Sequence, residues 1–131
     1  MNIVPLSFRR KLALEIARYA EKQKIKEHPL RQLFWECTLR CNLNCKHCGS
    51  DCKKTAGYAD MPKEDFLQVL DSIAAKTDPH KVFVVVTGGE PLMRSDLEEC
   101  GKAIYERGFP WGMVTNGLAM TKERLNRLMA S

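Results

Sequence analysis

Four cysteines with short, regular spacing form the part of the sequence best suited to chemistry. Cys41, Cys45 and Cys48 have the spacing C-x3-C-x2-C, and Cys52 extends the row by a further C-x3-C step. Thiolates this close in one loop can converge on a soft metal centre. Three of them can hold three irons of a four-iron cluster and leave the fourth iron open. Four of them would instead close a zinc site or an electron-transfer cluster.

The spacing alone does not decide between these kinds of site. A structural zinc site would need a fourth ligand, for which Cys37, Cys52 and His47 are the candidates. Cys37 ends a predicted strand and Cys100 lies in a predicted helix, so we expect both thiols to be buried in the core. Cys52 remains open as a loop thiol or a ligand.

The distribution of cysteine along the chain favours metal or cluster binding. Five of the six cysteines lie within sixteen residues, whereas a secreted domain held by disulfides would spread them out. The first residues lack the pattern of a secretory signal, and no apolar run approaches the roughly 20 residues that cross a bilayer. We therefore expect a cytoplasmic protein with reduced thiols.

Two further turns contain residues that could take part in chemistry, and each follows a predicted strand. One is Gly88-Gly89-Glu90-Pro91, and the other is Thr115-Asn116-Gly117. Glycines let backbone carbonyls approach a ligand closely, and the Glu90 carboxylate can accept a hydrogen bond from an ammonium group. Each turn taken alone is also the pattern of an ordinary chain reversal.

The segments that must position these motifs alternate between strand and helix after residue 31. The predicted strands are 33–37, 81–86 and 111–115, and the predicted helices are 62–73, 95–107 and 121–131. The unbroken β-branched run in the second strand predicts burial on both faces of a parallel sheet. Parallel strand–helix units place their sites at the carboxyl ends of the strands. The cysteine loop and both turns fall at those ends, so we expect them to meet.

Boundary residues of the helices carry recognisable signals. Ser95 and Thr121 are expected to cap the second and third of these helices, and Gly108 suits the end of the second. Pro62 suits a first helical turn. The side chains expected to face the core are Phe66, Val69, Leu70, Ile73, Leu125 and Leu128.

A basic amphipathic helix is predicted over residues 7 to about 26, with Ser7 as its cap. Residues 1–31 hold eight Lys or Arg and three Glu, whereas the rest of the chain holds thirteen of each sign. The apolar face is expected to pack on the core while the charges are solvated. The alternative is that the basic residues attract an acidic partner or peptide. Nothing in the sequence indicates a nucleic-acid partner.

These motifs together resemble the radical S-adenosylmethionine (SAM) superfamily. Its signature is the spacing of Cys41, Cys45 and Cys48 with an aromatic residue or histidine before the last cysteine, here His47. Its second motif, a Gly-Gly-Glu-Pro turn after the second strand, corresponds to Gly88–Pro91. The resemblance implies an α/β fold in which residues 31–131 form the first half of a partial (β/α)6 TIM-like barrel, preceded by the helical region 1–30.

The resemblance also implies cofactors and the residues that hold them. Cys41, Cys45 and Cys48 bind a [4Fe–4S] cluster, and SAM chelates its open iron. Gly88, Gly89 and Glu90 receive the amino group of SAM. His47 lies near the adenine, and Asn116 borders the cofactor, although a solvated loop residue and a simple turn are the ordinary alternatives for these two.

The implied reaction is the reductive cleavage of SAM to a 5′-deoxyadenosyl radical that takes a hydrogen atom from a substrate. It requires a low-potential electron donor of the flavodoxin or ferredoxin type. The stretch from Trp35 to Cys45 looks most like members that modify peptides or proteins and carry a cysteine-rich extension, which this sequence lacks. Only three of six barrel units are recognisable, so we expect an incomplete enzyme that does not turn over alone. The alternative function is a non-catalytic module with a four-cysteine zinc or iron–sulfur site.

Overall fold

Three parallel strands lie side by side in chain order and alternate with helices in the computed structural model, which describes residues 6–50 and 52–131. The strands are β1 (Gln32–Thr38), β2 (Phe83–Gly88) and β3 (Trp111–Met113), and the helices are α1 (Phe8–Glu27), α2 (Lys63–Ala74), α3 (Leu97–Glu106) and α4 (Lys122–Met129). The expected α/β order of strand and helix is therefore confirmed. The continuation of these units into a (β/α)6 barrel stays a prediction.

The register of the sheet aligns the carboxyl ends of its strands. Trp35 of β1 pairs with Val86 of β2, and Val86 pairs with Met113 of β3. Thr38, at the end of β1, is the partner of Gly88, at the end of β2. The three loops that follow the strands consequently start from one edge of the sheet, as the sequence predicts.

One face of the sheet packs on the helices and forms the core. Val84 and Val86 are fully buried there, and the Trp35 ring stacks on Phe66 of α2 with centroids 4.0 Å apart. Cys37 and Cys100 are also buried in this core, which confirms the packing roles expected of them. Each fully buried aliphatic side chain of this size contributes about 1.5–3 kcal/mol to folding.

The opposite face of the sheet is open. Phe34 is 63% exposed and Phe83 is 39% exposed, because the described helices cover only the other face. The prediction that β2 is buried on both faces is therefore wrong within the described residues. Alternate side chains of this strand meet different surroundings even though their types are alike.

Several element ends differ from their predicted positions. β2 begins at Phe83 because Pro79–Lys81 form a short 3-10 helix, whose His80 N–H donates to Asp78 Oδ1 over 3.2 Å. β3 ends at Met113, and α3 begins at Leu97 after Asp96 instead of being capped by Ser95.

Other boundary signals are confirmed. Thr121 caps α4, because its hydroxyl accepts a hydrogen bond from Arg124 N over 3.2 Å. Gly108 has φ 82°, the left-handed conformation that ends a helix, directly after the α3 cap.

Of the side chains expected to face inward, Leu125 and Val69 are 45% and 43% exposed. Both sit at the margin of the face that each helix turns toward the sheet.

The N-terminal helix α1 makes little contact with the core. It has no buried residue, and Phe8 is 80% exposed. Ser7 precedes the helix without a side-chain capping bond, and His28 ends it in a left-handed conformation with φ 46°. The expected packing of its apolar face on the core is not found within the described residues. None of the described helices has the length and apolar character needed to cross a membrane.

Candidate cofactor site

The cysteine loop begins and ends at a small polar network. Thr38, at the end of β1, donates from its hydroxyl to Asp60 Oδ1 over 2.7 Å, and Arg40 forms an ion pair with the same carboxylate. Burial by itself would raise the pKa of Asp60, but the hydrogen bonds from Arg40 and Thr38 outweigh it and hold that pKa below its ordinary value. Residues 38 and 60 are thereby held together, and the loop between them is closed at its base.

A buried arginine fixes the same base from the core side. Arg94 Nη1 donates to Cys37 O over 2.7 Å and to Met61 O over 2.9 Å. Its Nε and Nη2 bond both oxygens of Asp96 over 2.9 Å each, and its guanidinium lies 5.1 Å from the centre of the Trp35 ring. Sequence reasoning missed Arg94. Its only signal was a basic residue next to an apolar segment, which indicates nothing by itself.

Cys41 is the most enclosed thiol of the predicted triad. Its backbone N–H donates to Lys53 O over 2.7 Å, which ties the two limbs of the loop together. Its Sγ atom accepts a hydrogen bond from Leu43 N over 3.4 Å and a longer one from Asn116 Nδ2 over 3.9 Å. The loop after β1 and the turn after β3 therefore meet at this sulfur.

Cys45 and Cys48 lie on the exposed side of the loop. Both side chains are exposed, and Cys48 N donates to Cys45 O over 3.2 Å to close a tight turn. In the part of the chain that the structure describes, no three His, Cys, Asp or Glu side chains are gathered closely enough to hold a single metal ion. The structure thus places the three thiols on one loop without drawing their sulfurs around one point.

The remaining cysteines have different surroundings. Burial raises the pKa of Cys37 and of Cys100 to about 12, which leaves both as neutral core thiols. Cys52 is buried beside the loop, where its thiol donates to Ser50 O over 3.6 Å and contacts Cys48. Burial is the main reason that the pKa of Cys52 is raised, and the neighbouring Cys48 and Cys41 add to it.

The two glycines of the Gly-Gly-Glu-Pro turn are required by the close approach of the β1 end. A Cβ atom on Gly88, which has φ 131°, would lie 2.2 Å from Thr38 O. A Cβ atom on Gly89 would lie 2.4 Å from Arg40 O. In their place Gly89 N donates to Thr38 O over 2.8 Å, and Glu90 N donates to Arg40 O over 2.9 Å. The glycines thus serve to join two loops of the protein itself, a structural reason that sequence reasoning did not identify.

Glu90 joins the turn after β2 to the turn after β3. Its carboxylate is fully buried and accepts three hydrogen bonds. Oε1 receives them from Leu92 N over 3.0 Å and Thr115 Oγ1 over 2.6 Å, and Oε2 receives one from Asn116 N over 2.7 Å. Thr115, whose contact with Glu90 the sequence did not indicate, also accepts a hydrogen bond from Gly117 N over 3.0 Å and so shapes its own turn.

Asn116 reaches the cysteine loop, whereas His47 does not reach the strand ends. The Asn116 amide donates from Nδ2 to Asn42 Oδ1 over 2.8 Å and accepts from Leu118 N over 2.9 Å at Oδ1. His47 is exposed within the loop. The three predicted segments therefore meet at one edge, and Glu90 and Asn116 are the residues that connect them.

The donors of the loop fit an iron–sulfur cluster better than a hard cation. Three thiols share one loop whose base is fixed, and soft sulfur ligands select iron–sulfur clusters, zinc or copper. The ligands of a cluster bind separate irons and do not need to converge on one ion. The loose arrangement of Cys41, Cys45 and Cys48 is compatible with that requirement. A recess of about 360 Å³ lies beside the loop, lined by Asn42, Leu43, Asn44, Lys53 and Lys54.

Related proteins were found by sequence. The chain is 30% identical over 101 residues to the AdoMet-dependent heme synthase of Methanosarcina barkeri, a match that covers 77% of this chain and 28% of the relative. It is 32% identical over 96 residues to the Fe-coproporphyrin III synthase of the same organism, covering 73% of this chain and 23% of that protein. The chain therefore spans less than a third of the length of these curated relatives.

Solved structures with the same fold were found as well. SuiB of Streptococcus suis bound to S-adenosylmethionine superposes with a TM-score of 0.64 at 21% identity, covering 100% of this chain and 30% of SuiB. SuiB bound to the precursor peptide SuiA gives the same TM-score at 20% identity. The family model described as the Radical SAM superfamily matches residues 35–131, which contain every motif of the site. The chain belongs to the radical SAM superfamily, whose members are enzymes that use a [4Fe–4S] cluster and SAM.

Proposed function

We propose that the chain holds its [4Fe–4S] cluster through Cys41, Cys45 and Cys48 and takes part in the reductive cleavage of SAM. The observation that carries this proposal is the meeting of three loops at one sheet edge. Asn116 contacts the Cys41 sulfur with its side chain and Glu90 with its backbone. A cluster on the cysteine loop would consequently lie next to the turn proposed to hold SAM.

The residues of the second turn are proposed to bind the amino group of SAM. Gly88 and Gly89 would offer backbone carbonyls to the ammonium, and the fully buried carboxylate of Glu90 would act on it through its charge. The three donors already bonded to Glu90 fix the direction of its carboxylate, so this residue contributes a preset field and needs no rearrangement. Asn116 and His47 are proposed to border the remainder of SAM from the two adjacent loops.

A cluster held by Cys41, Cys45 and Cys48 would supply the one electron that breaks the carbon–sulfur bond of SAM into methionine and a 5′-deoxyadenosyl radical, which would take a hydrogen atom from the substrate. The electron is proposed to come from a low-potential donor of the flavodoxin or ferredoxin type. The exposure of Cys45 and Cys48, with Lys46 between them, supports access from solvent on that side. A reducing cytoplasm is the proposed location, because none of the six cysteines forms a disulfide.

Two substrate classes are candidates. A peptide or protein substrate is supported by the sequence from Trp35 to Cys45 and by the likeness of the fold to SuiB, whose structure contains a precursor peptide. A tetrapyrrole is supported by the sequence identity of 30–32% to the heme and Fe-coproporphyrin III synthases, which is higher than the 20–21% identity to SuiB. Absorbance titration of the chain with Fe-coproporphyrin III tests the second class, for which a saturable shift of the porphyrin band is expected.

The division of the chain into a helical region 1–30 and a core domain 31–131 is part of the proposal. The family match begins at residue 35 and leaves α1 outside it, which supports the division. The seven Lys or Arg side chains of α1 and its exposed apolar residues leave an acidic partner as a candidate for this region.

The function is tested on the chain reconstituted with iron and sulfide under anaerobic conditions. The electron paramagnetic resonance (EPR) spectrum of the reduced cluster is expected to change when SAM is added, and dithionite is expected to yield 5′-deoxyadenosine without multiple turnover. The Cys45→Ala variant is the control and should give neither result. A cluster spectrum that is indifferent to SAM would contradict the proposed function. The alternative is a closed four-cysteine site, which the contact of Cys52 with Cys48 favours. Such a site predicts an EPR spectrum that does not change when SAM is added.

A further inference from the structure

The Asn116 side chain occupies a place between the cysteine loop and the turn after β2. Its backbone N–H donates to Glu90 Oε2 over 2.7 Å, and its Nδ2 atom lies 3.9 Å from Cys41 Sγ. Cys41 is the buried member of the triad, so water does not compete strongly for its sulfur. A polar group in this position can influence the charge held by the thiolate.

The direction of the Asn116 amide follows from its neighbours. Leu118 N–H can only donate, and it meets one end of the amide over 2.9 Å. That end must therefore be the oxygen Oδ1. The other end, Nδ2, carries two hydrogens, of which one goes to Asn42 Oδ1 over 2.8 Å. The second hydrogen is left for Cys41 Sγ.

We infer that Asn116 is a positioning residue that donates a hydrogen bond to the Cys41 sulfur and raises the reduction potential of the cluster. This inference rests on the proposed function, because it takes Cys41 as a cluster ligand. Reduction adds one electron, and the added negative charge is shared by the ligand sulfurs. A donor aimed at a sulfur stabilises the reduced state more than the oxidised state. Hydrogen bonds to the sulfurs are among the features that set the potential of such clusters.

Glu90 and Asn42 hold Asn116 in place from two sides. Because Asn116 is held through its backbone by the carboxylate proposed to bind SAM, the donor is fixed relative to the sulfur before any cofactor arrives. Asn42 supports it from the other side by accepting the first amide hydrogen. Loss of Asn42 should thus loosen the amide and move the potential in the same direction as loss of Asn116, by a smaller amount.

The experiment is a redox titration of the reconstituted chain, followed by EPR without SAM. In Asn116→Ala the ratio of reduced to oxidised cluster at a fixed potential should fall about threefold. That corresponds to a reduction potential lower by about half of the 59 mV that a tenfold change represents for one electron. Asn116→Asp, which also adds a negative charge, should lower the ratio further. Asn44→Asp is the matched control, because it adds the same charge next to Cys45 in the same loop. We expect it to shift the potential less than Asn116→Asp.

Several outcomes would overturn the inference. Equal potentials for the wild type and Asn116→Ala would do so, as would equal shifts in Asn44→Asp and Asn116→Asp. If the Asn116 variants fail to take up iron, Asn42→Ala decides the matter, and an unchanged potential in that variant refutes the hydrogen bond. Failure of the proposed function would look different, because the wild-type chain would then form no cluster or show no response to SAM.

Discussion

Replacing Glu90 by glutamine should destabilise the chain before any cofactor is bound. Three donors converge on the two carboxylate oxygens of Glu90, and an amide offers one oxygen and two N–H groups instead. The Thr115 hydroxyl can rotate to accept from the new amide. The N–H groups of Leu92 and Asn116 can only donate, so one of them loses its acceptor beside the fully buried side chain of residue 90.

The size of the effect follows from that single lost bond. A buried donor left without a partner costs about 1–3 kcal/mol. Urea unfolding of a small domain has a slope of about 1–3 kcal/mol per molar. The midpoint of Glu90→Gln should therefore lie lower by about 1 M urea. The assay is circular dichroism of the cluster-free chain in urea, under anaerobic conditions with a thiol reductant.

A matched control separates this effect from the removal of a charge. Glu106→Gln removes the same charge from an exposed pair with Lys102, whose atoms are 3.8 Å apart. Its midpoint should stay with that of the wild type, because exposed pairs contribute little. If Glu90→Gln unfolds at the wild-type midpoint with the same slope, the buried network does not stabilise the site and the reasoning is refuted.

Three other substitutions test the base of the site by the same urea assay. Gly89→Ala should cost about 1–3 kcal/mol or more, because its Cβ would lie 2.4 Å from Arg40 O; equal stability would show that the turn can move away. Arg94→Lys should cost about 1.5–3 kcal/mol for each hydrogen bond to a carbonyl that it loses. An unchanged midpoint would show that the bonds from Arg94 to Cys37 O and Met61 O do not stabilise the base of the site. The hydrogen bond from Arg94 holds the pKa of Asp96 below 3.8, so its carboxylate stabilises the fold above that pH and loses its contribution as the pH falls through the lowered value. Asp96→Asn should accordingly be less stable than the wild type at neutral pH, and the difference should shrink below pH 3.8; a constant difference would contradict the ion pair.

The sequence predicted those parts of the fold that local patterns determine. The three strands, their order with the helices and the Thr121 cap leave periodic or capping signals within a few residues. The convergence of the cysteine loop and the two turns followed from the parallel arrangement alone. The β-branched residues of β2 indicated the strand but not its exposure. Phe83 and Val84 point to opposite faces, as successive residues of any strand do, and which face the helices cover depends on distant parts of the chain.

The contacts that hold the site together could not be predicted in this way. Arg94 binds carbonyl groups 57 and 33 residues away in the chain. The hydroxyl of Thr115 meets a carboxylate 25 residues away. No spacing rule connects such residues, since their partners are backbone atoms or single side chains brought near by the whole fold. Gly88 and Gly89 were recognised as a turn, but the neighbour that requires them is the backbone of β1 and its loop.

The central claim is that three cysteines, and not four, hold the cluster. The most direct measurement is the iron and sulfide content of single Cys→Ala variants after anaerobic reconstitution. We expect about four irons per chain in the wild type and in Cys52→Ala, and almost none in Cys41→Ala, Cys45→Ala or Cys48→Ala. If Cys52→Ala loses its iron as completely as Cys45→Ala, the site is a closed four-thiolate centre and the radical chemistry proposed for this chain is contradicted.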